Sequence, residues 1–321
     1  MKRISVLTSG GDAPGMNCAI RSVVRSAIGA GIEVFGIQRG YRGLFEKDFI
    51  KMDSRSVGGI INKGGTILRT IRFPELKEKK IREICYKNLQ EMGIEGLVAI
   101  GGDGSAQGAY ALYKDFEFPV VVIPASIDND VFGTDWTIGF DTAVNTAVDI
   151  IDKIRDTANS HERVFIIEVM GREHGALALD VAVSSGAETA ILPEFPVSME
   201  KIIKDLEEKK QKGKLSSIII LAEGAGKAQD IAEKIQQNLL DREVRYVILG
   251  YSQRGGSPTA FSRQLATIFG FEAIKMFQES DYGKMVAIHQ NQIIRISLSE
   301  VVSGKKTLSE EKLKLLETMA I

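Results

Sequence analysis

The chain is 321 residues long, 44% hydrophobic and 26% charged, with a formal net charge of −1. That length suffices for one large core or two modest domains, and the balanced charge gives no grounds for a nucleic-acid groove or an anionic membrane surface. No apolar run is long enough for a transmembrane helix, and the only cysteines, Cys18 and Cys85, lack metal-site spacing, which points to a reduced, cytoplasmic setting rather than a disulfide scaffold.

The opening MKRISVLTSGGD enters a strand pattern at once, so no signal segment is expected. A first strand over 3–8 runs into Thr8-Ser9-Gly10-Gly11-Asp12. A helix follows, with Met16, Ala19, Ile20, Val23, Val24, Ala27 and Ile28 on one apolar stripe. Arg21 and Arg25, four apart, share its other face, and the helix stops at Gly29 to Gly31. Further strands are predicted over 32–38, 96–100, 119–124, 163–169, 216–222 and 245–250. Most are unbroken apolar runs, as in parallel strands covered on both faces. Residues 284–298 read as a hairpin around Gln290-Asn291, and 307–319 as a capped terminal helix. Alternation of strand and helix throughout gives an α/β fold.

Glycine is the unusual residue, 32 in all and often clustered. Two strand ends share one plan: Thr8 to Asp12, and Gly101-Gly102-Asp103-Gly104-Ser105 after strand 96–100, each leading into a helix. Glycines there let backbone N–H groups approach a phosphate at a helix N-terminus, beyond the carboxyl ends of the strands. Neither turn is a Walker P-loop or a strict dinucleotide fingerprint. Asp103 inside such a cradle would repel phosphate unless a cation lay between, which argues for Mg²⁺. Residues 123–130, IPASIDND, end a buried strand in two carboxylates. Asp128 is the candidate base for a substrate hydroxyl, and Asp130 would hold a metal-bound water or keep Asp128 in place. Taken alone, Asp-Asn-Asp is equally good turn material. The cations that phosphoryl transfer needs have candidates in Arg72, Arg163, Arg172, Arg245 and Arg254, several beside strand ends and glycine turns. Any one of them, alone, reads as a solvated charge.

At this point TSGGDAPGMN (8–17), GGTILRTIRFPE (64–75), GGDGS (101–105), SIDND (126–130), KIRDTANSHER (153–163), EVMGR (168–172), AEG (222–224) and QRGGSPT (253–259) together resemble the bacterial ATP-dependent 6-phosphofructokinases, in the family's order from residue 1 to about 300. The resemblance implies ATP-dependent phosphorylation of fructose 6-phosphate at its 1-hydroxyl, a glycolytic step. It implies two Rossmann-like three-layer domains with mainly parallel sheets and chain crossovers: 1–138 plus 251–305 binding nucleotide, and 139–250 plus 306–321 binding the sugar phosphate. By resemblance, Gly11, Arg72, Phe73, Gly102, Asp103, Gly104 and Ser105 match the nucleotide positions, with Asp103 toward Mg²⁺. Ser126, Ile127 and Asp128 match the sugar-side loop, with Asp128 as base and Asp130 as the second aspartate. Met170, Gly171, Arg172 and Glu223 match sugar ligands, and Arg72 and Arg172 the contacts to the moving phosphoryl group. Arg163 and Arg245 match arginines reaching the sugar phosphate from a neighbouring subunit of a homotetramer, and Arg254 completes that pocket. An effector site for ADP or phosphoenolpyruvate is implied at Arg21, Arg25, Arg55, Arg155, Gly186, Glu188 and Lys214.

The chain departs from the family pattern at several positions. Tyr251 stands where the family has a phosphate-contacting histidine, Ser262 where it has an aspartate, and Ser54 where an effector-site arginine is usual, with Arg55 beside it. Ala125 and Ser126 replace Gly-Thr. Pyrophosphate-dependent relatives carry aspartate at the position of Gly104 and lysine at that of Ala125; neither is present, so ATP is the expected donor. Two competing readings remain: a kinase for another ketose phosphate, such as tagatose 6-phosphate or sedoheptulose 7-phosphate, motivated by Tyr251, and a noncatalytic nucleotide-binding paralogue.

Overall fold

The structure is a computed structural model and describes residues 1–320. The chain begins with β1 (Arg3–Ser9), α1 (Met16–Gly29), β2 (Glu33–Ile37), α2 (Gly40–Glu46), β3 (Phe49–Met52), α3 (Lys79–Glu91), β4 (Gly96–Gly101), α4 (Asp103–Phe116), β5 (Val120–Ser126) and β6 (Ile138–Gly139). Helix α5 (Phe140–Ser160) leads into β7 (Val164–Val169), α6 (Ala176–Ser185), β8 (Thr189–Ile191), α7 (Met199–Gln211), β9 (Ser217–Ala222), α8 (Ala228–Asn238) and β10 (Val244–Ile248). The chain ends with α9 (Ala260–Gln278), β11 (Lys284–His289), β12 (Gln292–Ser297), α10 (Leu298–Ser303) and α11 (Glu310–Met319). It divides into two compact units, Met1–Thr142 with Arg254–Lys306, and Ala143–Gln253 with Thr307–Ile321. The chain therefore crosses between units after Thr142, Gln253 and Lys306.

The first unit holds a sheet of order β12-β11-β5-β4-β1-β2-β3, with β6 added beside the end of β5. Its central strands are parallel; β3 and β12 run antiparallel to their neighbours. β4 is buried at every position, and β1 and β5 at all but one, as expected of strands covered on both faces. The core below them joins Leu7, Leu97, Val120 and Val122 to Leu89, Leu112 and Met285. Each such side chain, fully removed from water, contributes about 1.5–3 kcal/mol. In α1, Met16, Ala19, Ile20, Val23, Val24 and Ala27 are inaccessible, but Ile28 is 39% exposed. At 3.6 residues per turn, Ile28 falls about 40° past Val24, next to Arg21, so it leaves the stripe to which the spacing assigned it.

The second unit has an all-parallel sheet of order β10-β7-β9-β8. Val164, Ile166, Ile219 and Leu221 pack under Ile202, Leu206 and Ile235. The run 245–250 is not a covered strand: β10 is an edge strand, with Tyr246 44% and Ile248 56% exposed. The short strands β3, β6 and β8 carry no sequence expectation at all.

Candidate active site

β1, β4 and β5 are adjacent and parallel, with Ser9 opposite Gly101 and Gly101 opposite Pro124. Both glycine turns and the IDND loop therefore leave the sheet at the same carboxyl edge, where ligands of open α/β sheets bind. The turns are tied together: the Ser105 hydroxyl donates to the Ser9 carbonyl (3.0 Å) and its backbone N–H to the Gly102 carbonyl (2.9 Å). Ser105 is buried, so its side chain builds the cradle rather than lining it. A Cβ on Gly101 would lie 2.4 Å from the Ser9 oxygen, so only glycine permits this approach. A Cβ on Gly104 would meet nothing within 4 Å: the second residue of α4 faces open space. Ala125, by contrast, is 1% exposed, so its methyl is enclosed by protein.

Asp128 is buried, just beyond the end of β5. Ser126 Oγ accepts from the Asp128 N–H (3.2 Å) and donates to Asp130 Oδ1 (3.0 Å), so one hydroxyl links the loop's two aspartates. Ile127 beside them is buried. Gly102 lies against Ser126, since a Cβ there would be 3.6 Å from the Ser126 Cβ. Burial, and then the charge of Asp130, raise the Asp103 carboxyl above its ordinary range, against a hydrogen bond from Gln107 (2.6 Å). Two carboxylates within electrostatic reach of each other beside a glycine turn suit a hard cation that keeps several waters. Among the described residues no group of three or more protein ligands forms a closed metal cage.

The segment before Arg72 is fastened to the first turn: Thr70 Oγ1 donates to the Gly10 carbonyl (2.8 Å) and Thr8 Oγ1 to the Arg69 carbonyl (2.9 Å). Arg72 is exposed there, and Phe73 packs on Phe45 with ring centroids 5.6 Å apart. Arg254 belongs to this unit, its Nη1 3.9 Å from Asp12 and so close to Gly11 that a Cβ there would lie 2.1 Å from it. The structure thus places Arg254 at the first glycine turn.

In the second unit Gln253, fully buried, accepts the Met170 N–H at 2.9 Å. Gly171 (φ 142°) and Arg172 (φ 52°) then turn the chain so that the Arg172 N–H donates to Glu223 Oε2 (3.1 Å). This brings Met170, Gly171, Arg172 and Glu223 together. Arg163 and Arg245 converge on Glu243, and Tyr251 is 82% exposed. Glu188, buried, gathers Lys214 (2.7 Å) and Arg155 (3.7 Å), while Arg155 also donates to the Ser185 and Gly186 carbonyls. Lys209 donates to the Glu188 carbonyl (3.1 Å), and burial lowers its ammonium pKa. Of the other expected effector residues, Arg21, Arg25 and Arg55 lie in the first unit. Arg25 and Arg55 are exposed, and the Arg55 N–H closes a turn on Asp53 (2.9 Å). Sequence reasoning missed Gln253, Lys209 and the side chains that hold the IDND loop, because no local pattern marks a long-range hydrogen bond.

A family model described as Phosphofructokinase matches residues 3–277. The chain is 48% identical to an ATP-dependent 6-phosphofructokinase of Thermotoga petrophila over 97% of both chains, and 50% identical to one of Persephonella marina over 95% of both. Among solved structures, phosphofructokinase of Pichia pastoris in the T-state superposes with a TM-score of 0.90 at 34% identity, covering 94% of this chain and 35% of that one. This chain thus spans about a third of the length of the yeast enzyme. A pyrophosphate-dependent phosphofructokinase of Marinobacter aquaeolei, 21% identical with a TM-score of 0.86, covers 100% of this chain and 92% of its own and shares the fold. The protein is an enzyme, and by class a kinase. It belongs to the phosphofructokinase family.

Proposed function

We propose that the protein transfers the γ-phosphoryl group of ATP to the 1-hydroxyl of D-fructose 6-phosphate, giving fructose 1,6-bisphosphate and ADP in glycolysis. The observation that carries this reading is the meeting of two glycine turns and a buried aspartate at one edge of β1, β4 and β5. Relatives about half identical over nearly the whole chain are ATP-dependent 6-phosphofructokinases. Asp128 takes the proton of the 1-hydroxyl as its oxygen bonds to phosphorus, and the electron pair of the breaking β–γ bridge leaves on ADP. Arg72 and Arg172 match the family's contacts to the transferring group, to which a guanidinium brings charge. Ser126 and Ile127 match the family's sugar-side loop, and Met170, Gly171 and Glu223 its sugar ligands. Asp103 and Asp130 fit Mg²⁺, since a cation would offset both the burial and the Asp130 charge that lift the Asp103 carboxyl. When bound, Mg²⁺ neutralises phosphate charge. Open space at Gly104 and the enclosed methyl of Ala125 favour a nucleotide over pyrophosphate as donor.

Asp128→Asn tests the assignment. Turnover of Mg·ATP and fructose 6-phosphate is expected to fall by about 10²–10⁴ with nucleotide binding retained, and undiminished turnover would remove Asp128 from the mechanism. A noncatalytic paralogue would show no turnover in the parent.

A second reading rests on Tyr251, an exposed phenol in place of the family's histidine. A panel of ketose phosphates including tagatose 6-phosphate and sedoheptulose 7-phosphate decides the acceptor. The exposed apolar edge at Tyr246, Ile248 and Tyr251 supports assembly into a homotetramer, measured by light scattering. The Arg155–Glu188–Lys214 cluster supports an ADP- or phosphoenolpyruvate-responsive site in a cytoplasmic enzyme.

A further inference from the structure

The loop that carries the aspartates, residues 127–137, has no regular secondary structure between β5 and β6. A catalytic carboxylate must nevertheless be held to within about 0.5 Å. Asn129, between the two aspartates, adopts φ 50°, a left-handed conformation that asparagine tolerates. Its side chain spans the loop: Nδ2 donates to the Asp135 carbonyl (3.0 Å), and Oδ1 accepts from the Thr137 N–H (3.1 Å) and hydroxyl (3.3 Å). The shortest bond to that Oδ1, 2.9 Å, comes from outside the loop, from Lys306 Nζ. The same ammonium donates to the carbonyls of Thr134 (2.7 Å) and Asp135 (3.3 Å).

An ammonium has three N–H donors and no acceptor. Three acceptors of this ammonium belong to the loop of the catalytic aspartates. Lys306 is also the last residue of the first unit, where the chain departs for the second. On the other side, the loop is fastened to the β11–β12 hairpin, where Asp135 accepts the Gln290 N–H (2.7 Å) and Thr134 Oγ1 accepts the Ile288 N–H (3.1 Å).

We infer that Lys306 is a positioning residue for phosphoryl transfer: its ammonium is the template around which residues 129–135 fold, and through Asn129 it fixes the direction of Asp128. The inference rests on the reading of Asp128 as the base. Lys306 does not reach substrate; it acts through the loop. Removing it takes the shortest bond from Asn129 Oδ1, leaves the Thr134 carbonyl without its donor and the Asp135 carbonyl with Asn129 Nδ2 alone, and the loop relaxes. A displacement of about 1 Å at a reacting group costs on the order of 10²-fold in rate.

The test compares parent, Lys306→Met, Lys306→Arg, Lys306→Ala, Lys305→Met and Asp128→Asn as full-length protein with Mg·ATP and fructose 6-phosphate. Lys306→Met is expected to lose about 10–100-fold in kcat with both KM values within about threefold of parent. Lys305→Met, altering the exposed neighbour, keeps the parent kcat. Methylammonium restores part of the lost kcat in Lys306→Ala. Amide exchange over 127–137, followed by mass spectrometry, accelerates about tenfold or more in Lys306→Met; this readout needs no turnover and stands whatever the acceptor proves to be. Parent-like kcat, raised KM at unchanged kcat, or unchanged exchange in Lys306→Met overturns the inference. Should Lys306→Met not fold, Lys306→Arg decides, because a planar guanidinium cannot aim three donors at converging oxygens: a parent-like kcat there overturns the template as well. Full activity in Asp128→Asn refutes the base and leaves the exchange result to judge Lys306 by itself.

Discussion

Replacing Gly104 with alanine separates stability from nucleotide binding. Gly104 is the second residue of α4, its φ is not in the left-handed region, and a Cβ there has nothing within 4 Å. The added methyl therefore meets neither strain nor a neighbour, and alanine gains about 0.5–1 kcal/mol over glycine in a helix. A rise of about 1–4 °C in the melting temperature of the ligand-free protein follows. If the nucleotide's phosphates sit against this turn, the same methyl occupies their space. One extra methyl in a filled site costs about 1–3 kcal/mol, a rise of roughly 5- to 150-fold in KM for ATP. Thermal melts without ligand and initial rates at saturating fructose 6-phosphate measure the two effects. A higher melting temperature with unchanged KM would refute the placement of phosphate at the start of α4. A lower melting temperature would refute the open space.

Asp103→Asn removes one of two carboxylates within electrostatic reach of each other, so the metal-free protein should melt higher than the parent, while kcat drops by about 10²–10³; a lower melting temperature counts against the repulsion. Arg295 binds Glu272, Glu279 and Asp281, and Arg295→Met is expected to cost about 2–3 kcal/mol at neutral pH. Burial pushes the Asp281 carboxyl up, but bonds from Lys284 and Arg295 outweigh it and hold it below its ordinary value. A depressed carboxyl contributes stability above the unfolded pKa of about 3.9 and loses it as pH falls through the folded value. The melting difference between parent and Arg295→Met should therefore be largest near pH 7 and narrow below about pH 4; a difference constant with pH would contradict it.

The central strands were legible because burial on both faces writes an unbroken apolar run, as in β4 and β9. The same signal misled at β10, where Tyr246 and Ile248 face outward along an edge, and it was silent for β8, only three residues long. Glycine turns advertised themselves by composition. The motif GGDGS does not reveal that the Ser105 hydroxyl turns inward to Ser9. Lys306 left no trace: its meaning lies in three oxygens far earlier in the chain, and no periodicity encodes that.

The sheet order has a consequence for how the protein is made. β5 pairs on one side with β4 and on the other, at Val121 and Val122, with β11. Every strand of the second unit is synthesised between β5 and β11. At ribosomal rates that interval lasts about 10–30 s. Throughout it, the apolar start of β5 lacks its β11 partner at Val121 and Val122, an open template for a neighbouring chain. The second unit's sheet is complete before the first unit's, although it begins later. Nascent molecules on one polysome are therefore most prone to cross-pair at β5, and release of Lys284–His289 from the ribosome is the event that ends the hazard.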